Sequence, residues 1–114
     1  MASTEPSLLF LKPWESISNE RAQYFEDELA RELAPDHALY GQERRAVGKT
    51  GASDDVLYRL HGGTFAQVHL TFVREAPERS GWPMHYPFET LADWMIAKML
   101  PDHIEHFALW PDGW

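Results

Sequence analysis

Asp55-Val56-Leu57-Tyr58-Arg59-Leu60-His61-Gly62-Gly63-Thr64-Phe65-Ala66-Gln67-Val68-His69-Leu70-Thr71-Phe72 is the stretch on which the fold turns. Two runs rich in Val, Leu, Tyr, Phe and Thr flank a glycine pair, which is the pattern of a β-hairpin. Loop length sets its register. A two-residue Gly62-Gly63 turn would place Leu60 opposite Phe65. A loop of His61, Gly62 and Gly63 places Leu60 opposite Thr64 and Val56 opposite Val68. Only the longer loop sorts the side chains by polarity. Val56, Tyr58 and Leu60 then share a face with Ala66, Val68, Leu70 and Phe72. Asp55, Leu57 and Arg59 share the other with Phe65, Gln67, His69 and Thr71. A slip of one residue would mix the two sets, so burial selects this register.

Working outward, Arg44–Lys49 reads as a preceding strand, ended by the turn residues Gly51, Ala52, Ser53 and Asp54. Between Ser16 and Ala34, Ala22, Phe25, Leu29 and Leu33 recur at helical spacing. Ser16 or Ser18 can cap that helix and Pro35 stops it. Its acids, Glu20, Glu26, Asp27, Glu28 and Glu32, read as a solvated face. Residues 1–15 read as a loose lead-in containing Pro6 and Pro13, and residues 74–87 as a loop carrying Pro77, Gly81, Pro83 and Pro87. Thr90, with Asp93 three residues on, caps a second helix. Its apolar face is Leu91, Trp94, Met95 and Met99, and Pro101 is expected to end it. The order is therefore α-β-β-β-α. It predicts an α+β fold: a small antiparallel three-stranded sheet with a helix before and after it, both helices on one face. Residues 1–114 read as one domain, with 102–114 an aromatic C-terminal tail.

Composition narrows the partners. The 114 residues carry 18 acids against 10 lysines and arginines, a formal net charge of −8. Nucleic-acid binding rests on cations neutralising phosphates, and anionic membranes ask for the same, so neither is expected. Cysteine is absent, which removes disulfides, thiolate chemistry and cysteine-ligated zinc. The first residues lack the cationic region of a signal peptide, and the apolar run Leu8 to Leu11 is too short to span a bilayer. A cytoplasmic location is the simplest expectation.

The hairpin's polar face holds the first candidate site. Asp55 stands opposite His69, flanked by Arg59, Gln67 and Thr71. Opposed Cβ atoms lie about 4.5–5.5 Å apart, within reach of a carboxylate–imidazole hydrogen bond. Such a bond orients the ring, as a general base or an anion-binding site requires. Arg45, Arg44 and Asp54 border the pair, with Trp82 and His85 placed to close over it from the long loop. The plainer reading is an exposed cross-strand ion pair that fixes the register.

Other motifs carry less. His103 and His106, near Asp102 and Glu105, have the i, i+3 spacing of some helical metal ligands, but the paired motif such sites use is absent. Surface histidines are the expectation, with no metal or cofactor. Phe107, Leu109, Trp110 and Trp114 either pack over the second face of the sheet or form an interface, and a homodimer would meet the same need. Gly48-Lys49-Thr50 lacks the upstream glycine of a phosphate loop, since Glu43 stands there.

The run Asp54-Asp55-Val56-Leu57-Tyr58-Arg59-Leu60, then Val68-His69-Leu70-Thr71-Phe72, then Trp82-Pro83, resembles a group of small bacterial proteins of unknown function. The resemblance implies a bacterial, cytosolic origin and supplies no activity. Two functions fit the residues. One is a non-enzymatic module binding a protein or small ligand. The other is a small hydrolase-like enzyme with His69 as base, Asp55 as its orienter and an arginine for charge.

Overall fold

A computed structural model describes residues 10–72 and 83–109. Its elements run β1 (Trp14–Ser16), α1 (Asn19–Glu32), β2 (Arg44–Thr50), β3 (Asp55–Leu60), β4 (Phe65–His69) and β5 (His85–Phe88). A C-terminal helix follows, built of α2 (Leu91–Trp94), a π-helical turn (Met95–Met99) and α3 (Leu100–Leu109). The strands form one antiparallel sheet in the order β1-β2-β3-β4-β5. The expectation of three strands is thus overturned by five. The added strands are the edges, three and four residues long, one across the end of the supposed lead-in and one across the end of the supposed loop. Short edge strands show little alternation, and Pro87 in β5 is tolerated because an edge needs fewer N–H donors.

The hairpin register is as burial demanded. Asp55 pairs with His69, Val56 with Val68 and Tyr58 with Ala66. The Leu60 N–H donates to the Thr64 carbonyl at 2.8 Å, closing the loop. Gly62 and Gly63 take φ of 87° and 82°, which side-chain-bearing residues rarely adopt. Between Ala46 and Gly48 the β2 register shifts by a bulge. Glu26 accepts the Ala46 N–H at 2.9 Å, tying α1 to that irregularity.

Each face of the sheet has its own core. On the first, Ala22, Phe25, Leu29 and Leu33 pack with Val56, Tyr58, Leu60, Ala66, Val68 and Leu70. On the second, Trp14, Trp94 and Met99 cover Leu57 and Phe65. The two helices therefore lie on opposite faces, not on one. Leu57 and Phe65 are the reason: left bare, each would forgo about 1.5–3 kcal/mol of burial. The cover comes from Trp94 and Met99, whereas Phe107 and Leu109 stay exposed. Trp110 and Trp114 lie outside the described residues.

Three local expectations also change. Pro101 does not end the second helix. The Leu100 N–H bonds the Met95 carbonyl five residues back, and this wider turn precedes the proline, which has no N–H to donate. β4 stops at His69 rather than Phe72. There the chain turns onto Glu32, whose carboxylate accepts the Thr71 N–H, the Thr71 hydroxyl and the Phe72 N–H, each at 2.9 Å. Phe72 is held at a φ of 56°. Glu32, expected in a solvated face, is buried.

Candidate functional site

β3 and β4 present Asp55, Gln67 and His69 on the second face, where alternation along each strand sends them to one side. Asp55 is the hub. Its Oδ1 lies 2.6 Å from His69 Nδ1, and its Oδ2 accepts from Gln67 Nε2 at 2.5 Å. The Gln67 Oε1 in turn accepts the Trp94 indole N–H at 2.8 Å. A continuous relay thus runs from the buried Trp94 of the C-terminal helix to a histidine whose side chain is 47% exposed. Every polar atom of the buried Gln67 amide that the relay uses is partnered, which suits its place beside Leu57 and Trp94.

The relay forms part of the wall of a cleft of about 520 Å³ between the second sheet face and the C-terminal helix. Asp55 and Gln67 line it from the sheet. Lys98, Asp102, Glu105, His106 and Leu109 line it from the helix, and Trp14, Thr50 and Ser53 from β1, the end of β2 and the turn that follows. Two contacts stiffen these walls. The Trp14 indole N–H donates to Asp102 Oδ2 at 2.8 Å, and the Trp14 and Trp94 rings meet edge-to-face at 4.9 Å. Lys49 donates to the Thr50 and Ser53 carbonyls and so closes the turn at the cleft margin. Burial holds its ammonium below the ordinary lysine value, while Asp54 and Asp55 pull it back up. Asp55, Asp102 and Glu105 line this space, with Lys98 the one lysine or arginine in the lining, so its electrostatics favour cationic groups.

Of the seven residues singled out in the sequence, Asp55, His69 and Gln67 come together. Arg59 lies elsewhere on that face, its guanidinium 5.8 Å from the Phe65 ring centre and its backbone opposite Arg45. Arg45 is exposed at that same end. Thr71 has left the face altogether for Glu32. Trp82 lies outside the described residues. Among the bordering residues, Arg44 donates to the Leu39 and Gln42 carbonyls, and His85 packs its ring 4.8 Å from that of His37. Nor is the pair a wholly exposed surface bridge, since Asp55 keeps only 16% side-chain exposure.

Trp94 and Lys98 were missed as site residues, and Asp102 and Glu105 were noted only beside His103 and His106. Trp94 did stand on the predicted apolar stripe, but no local pattern says that its N–H finds a glutamine 27 residues away. His103 donates from Nδ1 to the Lys12 carbonyl at 2.8 Å, and His106 is buried rather than a surface residue. No cluster of three or more metal-ligating side chains occurs among the described residues. Among the described residues, too, no helix is long and apolar enough to cross a membrane. Comparison with family models, curated proteins and solved structures finds no match.

Proposed function

We propose that this chain is a binding module, and that the cleft beside Asp55 receives an amine- or guanidinium-bearing group. That group belongs to a small molecule or to a side chain projecting from a protein. The observation that carries the reading is the doubly held Asp55 carboxylate on the cleft wall. Two neighbours fix its oxygens, yet an ionised carboxylate has about four acceptor directions, so capacity remains for a ligand donor. Asp102 and Glu105 add negative charge from the facing helix. The volume falls within the roughly 300–1,000 Å³ range of small-molecule sites.

The 2.6 Å His69–Asp55 contact also suits a hydrolase in which Asp55 orients His69 as a base. Two features weigh against it. His69 is not among the residues lining the cleft, and Arg59 is placed over Phe65.

Thermal shift with arginine amide and spermidine, against a neutral sugar and citrate, tests the proposal. Expected is a rise in Tm with the cations alone, reduced in Asp55→Asn. Equal responses to all four compounds, or an undiminished response in the variant, would sink it.

A further inference from the structure

We propose that the outward side of the C-terminal helix is a docking surface for a basic segment of another protein, one that carries apolar residues at helical spacing flanked by Lys or Arg. Ile96, Leu100, Ile104 and Phe107 are 68%, 40%, 68% and 49% exposed. Their spacing of four, four and three residues puts them along one side of the helix. Ala97, Pro101 and Ala108, also exposed, fill the same arc, so that no charge interrupts it. The helix is thus apolar both inward, at Trp94 and Met99, and outward. A surface helix normally turns a polar face to water, and a contiguous apolar arc marks an interaction site. This surface is separate from the cleft, which lies against the opposite side of the helix at Lys98, Asp102 and Leu109.

Charge selects the occupant. The exposed carboxylates of Asp93 and Glu105 border the arc, while Lys98, the one lysine of residues 89–109, lies on the cleft side with its ammonium 4.2 Å from the Tyr86 ring centre. The whole chain carries −8. A basic partner gains attraction at the rim of the apolar arc and is steered to it. A second copy would bring the same negative excess. An anionic bilayer would too, and helices that lie on such bilayers carry Lys and Arg on the polar face instead.

The test uses the full chain and two fluorescent synthetic helices, one with leucine on one face and lysine elsewhere, the other with glutamate replacing every lysine. Anisotropy at near-physiological ionic strength is compared for wild type, Leu100→Ser and Ile104→Ser, with sedimentation run in parallel. Both substituted side chains are exposed, so the fold is expected to persist, and circular dichroism checks it. The proposal expects the lysine helix to bind, the glutamate helix not to bind, and each substitution to weaken binding about tenfold. Lysine-helix binding untouched by both substitutions would overturn it, as mere adsorption to an acidic protein. So would no binding of the lysine helix to a folded wild type. A wild-type dimer dissociated by Ile104→Ser would also overturn it and give the surface to a second copy.

Discussion

The Trp94 indole N–H donates to Gln67 Oε1 at 2.8 Å, across the boundary between the C-terminal helix and the second face of the sheet. The same amide then holds Asp55, and Asp55 holds His69. A buried aromatic therefore sets the orientation of a polar group at the surface. Trp94→Phe keeps most of the ring but removes the donor, leaving a buried carbonyl oxygen without it. The expected cost is about 1–3 kcal/mol in urea denaturation. The His69 ring resonances should also broaden or move, because the amide that braces Asp55 is freed to turn.

Gly48 faces a ring. A Cβ built there would lie 2.7 Å from the Phe10 ring, closer than side-chain carbons come in practice. Gly48→Ala should destabilise by about 1–3 kcal/mol through overpacking. Thermal unfolding measures it, and Phe10→Ala in the same background should recover part of the loss.

Glu32 makes stability depend on pH against the usual direction for an acid. Burial, and then the neighbouring Glu28, hold its carboxyl above its ordinary value of 4.5, while the Thr71 and Phe72 bonds oppose the shift. The folded state thus keeps a proton that the unfolded chain has released. The contribution of this group to stability is greatest at low pH and falls as pH rises from 4.5 through the folded value. Glu32→Gln should remove that segment of the pH–stability curve. At neutral pH it should also lower stability, since an amide NH₂ cannot accept the Phe72 N–H.

His85 works in the opposite sense. Burial, and then the nearby His37, hold its imidazole below the ordinary 6.5. The unfolded chain takes up a proton first as pH falls, so stability is present above 6.5 and lost as pH drops from there toward the folded value. Within the same contact, His37 accepts the Leu39 N–H at Nδ1 and donates from Nε2 to the Pro83 carbonyl. Denaturation of His85→Gln between pH 5 and 7 should show a flatter slope than wild type.

Much of the fold was legible locally, and the hairpin shows why. Val56, Tyr58 and Leu60 stand at every second position, and with a period of two only one loop length keeps them together with Ala66, Val68 and Leu70. The helix starts were legible for the same reason, because Ser18 and Thr90 bond N–H groups three residues away. The Asp55–His69 pair followed directly from the register. Glu26, Glu32 and Trp94 were not legible. Each serves a backbone or side-chain group 20 or more residues distant, and nothing next to them in sequence marks that duty.

The chain's own pattern therefore determined the register of β3 and β4, the faces of that hairpin and the meeting of Asp55 with His69. Tertiary structure alone decided that two edge strands complete the sheet and that the helices take opposite faces. It also decided that the helix passes Pro101 and that Asp55 becomes the wall of a cleft. The division has one physical cause. Side-chain period and capping act over a few residues and show in the local sequence, whereas covering Leu57 and Phe65 depends on Trp14, Trp94 and Met99, each distant along the chain.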